Sequence, residues 1–156
     1  MITLSRSQLV GAETLDEETI RFKGIQEDHI YGMEIEMDVS IPTGQILAIK
    51  GWMKRYTNPL CPKAVDVLQN AMGMNLRQEK WEQKVMRAIG RKGCQHFAEI
   101  IIECGRCLDQ ALMAKDLEEA LKADPALDQN SFTGKWMEEH PKITGACLAR
   151  PSLMVS

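Results

Sequence analysis

The sequence is short of the features that announce a specialised class of protein. No stretch approaches the ~18 uninterrupted apolar residues of a membrane-crossing helix, and the opening residues, Met1 to Thr19, lack the apolar core of a secretory signal. A cytoplasmic chain with no membrane contact is the expectation. Basic clusters are missing too. Lys50, Lys54 and Arg55 are scattered, the pair Arg91–Lys92 stands alone, and the net charge is -3, so the electrostatic footprint of a nucleic-acid binder is absent. Glycine-rich dinucleotide and phosphate loops, a nucleophile-elbow serine and His-Glu-x-x-His do not occur, which removes support from the enzyme classes built on them. Internal repeats and low-complexity tracts are also lacking. Aromatic residues make up only 5%. Five cysteines is an odd number that disulfides cannot exhaust, and in a reducing compartment such residues serve as packing, metal ligands or reactive thiols.

What is present is ordinary globular material. Hydrophobic residues make up 44% and charged residues 26% of 156 residues, enough to bury roughly two thirds of the unfolded chain's surface. Ten methionines suit an adaptable core or groove. Residues 1–18 are polar and weakly patterned and read as a mobile arm ahead of a single domain over 19–156. From Thr19 the pattern has period two. Ile20 and Phe22 alternate with Arg21 and Lys23, and Met33, Ile35, Met37 and Val39 alternate with Glu34, Glu36 and Asp38, as in strands with one buried face. Ile41-Pro42-Thr43-Gly44 supplies a turn, and a further β-rich run covers Gln45 to Met53. Strands at about 19–27, 30–40 and 45–54 form an antiparallel meander.

After Asn58-Pro59 the period becomes helical. Cys61, Val65, Leu68 and Met72 share one stripe, with Pro62 at a first-turn position and Gly73 as a stop. Trp81, Val85, Ala88 and Ile89 mark a second helix over 77–89. Phe97, Ile101, Cys104, Leu108 and Leu112 mark a long one over 94–123, and a short helix falls near 134–139. Strands followed by helices specify an α+β domain, a three-stranded antiparallel meander with packed helices covering one face.

Cys61 and Cys94 both open helices. Backbone N–H groups and the helix dipole there favour the thiolate, the form that binds metals and attacks electrophiles. His96 lies two residues beyond Cys94, close enough to share an ion with it, although Cys-x-His alone lacks the paired hooks of a zinc finger. The ligand and the packing readings of these residues both stay open. Cys104-Gly105-Arg106-Cys107 falls inside a helical stripe, away from a helix start, which points to packing. Glu34, Glu36 and Asp38 form a carboxylate row that suits a hard cation or, more simply, a solvated sheet face. His29 and His140 have no catalytic partner in sequence, and Cys147 has no local context.

Tyr56-Thr57-Asn58-Pro59-Leu60-Cys61-Pro62, the strand end Trp52-Met53, Gly93-Cys94-Gln95-His96-Phe97-Ala98-Glu99-Ile100 and Ala146-Cys147-Leu148-Ala149 together resemble the bacterial domain of unknown function 2889 family. The resemblance singles out Cys61, Cys94, His96 and Cys147 and implies no activity. Strands followed by helices with cysteines at their starts are, in order alone, similar to the scaffold proteins of iron–sulfur cluster assembly. The first expectation is a metal-binding or metal-cluster accessory protein in which Cys61, Cys94 and His96, with Cys147, a strand carboxylate or solvent in a fourth position, hold zinc or iron, since thiolates and imidazole suit these metals. The alternatives are a binding or homo-oligomerising module whose cysteines are core, with a protein or small-molecule partner, and a small thiol enzyme with Cys94 or Cys61 as nucleophile.

Overall fold

The computed structural model describes residues 1–140, and the chain divides into two compact units, the first Met1–Cys107 and the second beginning at Leu108. The first unit opens with four strands, β1 (Arg6–Thr14), β2 (Thr19–Asp28), β3 (Gly32–Ser40) and β4 (Ile46–Arg55), paired antiparallel in sequence order. The period-two pattern of β2 and β3 becomes two faces. Ile20, Phe22, Met33, Ile35, Met37 and Val39 are buried on one side, with Ile46 and Ile49 of β4. On the other side Arg21 meets Asp38 at 2.6 and 2.8 Å and Glu36 at 3.4 Å, and Lys54 pairs with Glu34. The carboxylate row of β3 is therefore answered by cations of the neighbouring strands. Turn chemistry joins the strands as expected between β3 and β4, where Gly44 takes a positive φ of 74°.

The sheet corrects the sequence reading in one respect, since it has four strands where the pattern gave three. Residues 6–14, expected within a mobile arm, form β1, which pairs with the whole of β2 from Arg6↔Asp28 to Thr14↔Ile20. The physical reason is position. An edge strand has a single neighbour, and eight of the nine residues of β1 are exposed, so it carries no inward apolar set for a periodicity to reveal.

The helices of the first unit are shorter than the stripes suggested. Over 61–71 two 3-10 turns, Cys61–Lys63 and Leu68–Ala71, flank a single turn of α-helix, α1 (Ala64–Val67). The next segment is α2 (Trp81–Val85), which widens into a π-helical turn, Met86–Gly90. The expected helix over 94–123 is two, α3 (Gln95–Arg106) and α4 (Leu108–Ala123), broken at Cys107. Apolar residues keep helical spacing across that break, so periodicity could not disclose it.

α3 closes the core. Phe97, Ile101 and Cys104 are fully buried and Ile100 nearly so. The helix comes so near β2 that a Cβ on Gly24 would lie 2.4 Å from Cγ2 of Ile100 and 2.8 Å from Sγ of Cys104. In the second unit α4 is followed by α5 (Gln129–Glu139), capped by Asp128, whose carboxylate accepts from the N–H of Asn130 and Ser131 at 3.2 Å each. There the Trp136 indole donates to Asp116 at 2.9 Å and stacks on His140 at 3.8 Å. Among the described residues no helix is long and apolar enough to cross a membrane.

Gly24 and Gly11 give a matched test of the α3 contact. Gly24→Ala forces a methyl into Ile100 and Cys104 and is expected to destabilise by about 1–3 kcal/mol. Gly11→Ala, on β1 with nothing within 4 Å of its Cβ, should be neutral or slightly stabilising. Urea unfolding of the two variants against wild type checks the contrast.

Candidate functional site

Cys94 is the N-cap of α3, extended at φ -143° and ψ 122°, half-buried, and without a side-chain capping bond of its own. The chain reaches it through the π-helical turn after α2, a winding that recurs at functional sites. The carbonyl of Ile89 takes the N–H of both Gly93 (2.9 Å) and Cys94 (3.1 Å), which pins the turn. Gly93 is needed there because a Cβ would lie 2.9 Å from Cβ of Val67 in α1.

His96 follows in the first turn of α3, and its Nδ1 lies 3.9 Å from Cys94 Sγ. The other ring nitrogen faces β1, with Nη2 of Arg6 3.4 Å from Nε2 of His96. The Tyr31 ring packs on the imidazole with centroids 4.5 Å apart at 43°, and the Tyr31 hydroxyl is 3.4 Å from Oγ1 of Thr57. Arg6 is held in turn by Asp28, Nε to Oδ2 at 2.9 Å, and the Asp28 side chain is 1% exposed. The same carboxylate accepts from the backbone N–H of Tyr31 (2.7 Å) and Ile30 (2.8 Å), forming the turn into β3. Led by the Tyr31 N–H, with Ile30 and the Arg6 guanidinium adding to it, these partners hold the Asp28 carboxyl down at about 2, below the usual carboxylate range, against the opposing effect of burial.

Beside this cluster lies a hollow of about 630 Å³, whose walls include Arg6 and Gln8 of β1, Met86 before the site, and Glu99 and Ile102 of α3. Gln8 donates to the Gln26 side-chain oxygen at 2.8 Å. Gln26 is fully buried and its amide nitrogen has no partner among the described residues.

Of the ligands anticipated from sequence, Cys94 and His96 come together. Cys61 stands half-buried at the head of the first 3-10 turn, and Cys147 lies outside the described residues. Among the described residues no group of three or more His, Cys, Asp or Glu converges to hold a metal ion. Cys104 is fully buried, and burial pushes its thiol up to about 12. Cys107, at the C-cap of α3, is also raised, chiefly by burial. Neither has the setting of a reactive thiol. His29 is exposed.

Sequence reasoning missed Arg6, Asp28 and Tyr31. Asp28-His29-Ile30-Tyr31 did carry a signal, since an aspartate that begins a turn accepts the N–H groups two and three residues on. Arg6 carried none, because its strand has no pattern.

The family model described as protein of unknown function (DUF2889) matches residues 7–110, a span that contains Asp28, Tyr31, Cys61, Cys94 and His96. No curated protein and no solved structure matches the chain, so the likeness in element order to iron–sulfur assembly scaffolds has no structural match behind it.

The depressed Asp28 carboxyl gives a pH signature. A folded value of about 2 against the ordinary 3.8 means that its stabilising contribution is fully present above the ordinary range and is lost as pH falls toward 2. Wild type should exceed Asp28→Asn in thermal stability at pH 7, and the gap should close between about pH 4 and pH 2. Melting temperatures of both proteins across that range test it.

Proposed function

This chain belongs to the DUF2889 family of proteins of unknown function, and on that premise we propose that it works through the thiol of Cys94. The thiol loses its proton to solvent and its sulfur adds to an electrophilic carbon of the substrate. The π-bond electron pair of that carbon moves onto the neighbouring atom, which takes a proton from solvent, while His96 holds the sulfur as hydrogen-bond partner. One observation carries the reading, the 3.9 Å separation of Cys94 Sγ and His96 Nδ1 at the start of α3. A thiolate held by a hydrogen-bond donor is a nucleophile, and the first turn of a twelve-residue helix offers free N–H groups to negative charge. A hollow of about 630 Å³ shares the Arg6 wall with the pair, and neither Cys94 nor His96 lines it, so the reading rests on the pair itself.

The same separation supports a second reading, a transition-metal site of the accessory-protein kind. Bonds of ~2.3 Å to sulfur and ~2.1 Å to nitrogen allow up to ~4.4 Å between two ligands of one zinc, and 3.9 Å lies within that. Zinc or iron bound there takes Cys94 and His96 and requires at least one more ligand, which solvent or the substrate supplies, since no third His, Cys, Asp or Glu converges on the pair among the described residues. The thiol reading stands first because it asks for no third group.

Competitive alkylation of the folded chain near neutral pH, with each cysteine followed by mass spectrometry, separates the readings. Cys94 should react first, ahead of Cys61 and Cys107, with Cys104 last. Stoichiometric zinc or iron that disappears in Cys94→Ser would put the metal reading in first place. Neither metal nor a fast Cys94 would leave the cysteines as packing in a binding module, and the proposal would be wrong.

A further inference from the structure

We infer that Arg6 is the positioning residue of the Cys94–His96 pair, fixing the imidazole in the tautomer whose Nδ1–H donates to the Cys94 sulfur. This rests on the thiol reading of the site and adds the direction of the hydrogen bond.

The inference follows from what a guanidinium can offer. Arginine has five N–H donors and no acceptor, so the 3.4 Å contact of its Nη2 with His96 Nε2 requires a lone pair on Nε2. Neutral imidazole carries one proton. With Nε2 accepting, that proton sits on Nδ1, the nitrogen 3.9 Å from Cys94 Sγ, and the sulfur accepts. A proton on Nε2 would instead point one N–H at another.

Arg6 keeps this orientation because its fork is gripped elsewhere. Its Nε donates to Asp28 Oδ2 at 2.9 Å, and the same Asp28 side chain is tied down by the N–H groups of Ile30 and Tyr31. The planar guanidinium can serve a carboxylate with one N–H and the imidazole with another, and Tyr31 limits rotation of the His96 ring from its face. Asp28, Arg6, His96 and Cys94 thus form one chain of donors and acceptors from the end of β2 to the start of α3. His96 in this chain is a donor that holds the sulfur, and the base that removes the thiol proton is solvent. A protonated Nδ1 is also no metal ligand, so the tautomer bears on both readings of the site.

Long-range proton–nitrogen correlation spectra of the ¹⁵N-labelled full chain, recorded with the imidazole neutral, report which ring nitrogen of His96 carries the proton. In wild type it should be Nδ1. In Arg6→Met the Nε2–H form should become the major one, and alkylation of Cys94 should slow several-fold. Arg6 lies on an exposed edge strand, and the backbone amide spectrum checks that the variant keeps its fold. Should Arg6→Met perturb that spectrum, the wild-type tautomer alone decides. A wild-type Nε2–H tautomer, or an Arg6→Met spectrum still showing Nδ1–H, overturns the inference. Slow alkylation of wild-type Cys94 alongside the expected tautomer switch would sink the thiol reading and leave the role of Arg6 standing. Fast alkylation with an unmoved tautomer would do the reverse.

Discussion

The close approach of α3 to β2 is the constraint on which the first unit depends. It exists because Gly24 leaves room for Ile100 and Cys104 where any larger residue would push the helix away, and it is sealed by the burial of Phe97, Ile100 and Ile101. Each of those side chains withdraws apolar surface worth roughly 1.5–3 kcal/mol from water. Once the middle of α3 is fixed over Gly24, its direction sets where its first turn emerges. That turn lies at the C-terminal end of β2, where Asp28, Arg6 and Tyr31 meet His96. Packing thus places the Cys94–His96 pair, and the polar groups refine its geometry.

Asp28 links the two levels. Its carboxylate closes the turn from β2 into β3 through two backbone N–H groups and anchors β1 through Arg6. A side chain that is 1% exposed and charged survives only when its oxygens are answered, and here the answering groups belong to two pieces of chain, β1 and the turn into β3. β1, with little burial of its own, is held to the sheet by its backbone ladder and by ion pairs at both ends, Arg6 to Asp28 and Lys23 to Glu13. The site inherits its order from a turn.

Much of this was legible in the residues and some was not, for physical reasons. β2 and β3 alternate because one sheet face is buried and the other is laced with ion pairs, so their periodicity is strong. The edge strand β1 leaves eight of its nine residues exposed and read as an arm. Cys94 and Cys61 were identified as helix openers from the glycine and proline before or after them, and the structure puts Cys94 at the N-cap of α3 and Cys61 at the head of a 3-10 turn. The break at Cys107 was hidden by a stripe that continues across it. In the site, the nearness of Cys94 and His96 was readable because they are two residues apart. Arg6 is ninety residues from His96 in sequence, and nothing local in Arg-Ser-Gln signals a contact that only the sheet register creates.

The central claim is that Cys94 and His96 act as a pair. The most direct measurement compares the alkylation rate of Cys94 in wild type and in His96→Phe, which keeps an aromatic ring against Tyr31 while removing the Nδ1 group. The rate is expected to fall several-fold with the fold intact by circular dichroism. A Cys94 that reacts as fast or faster without the imidazole would contradict it.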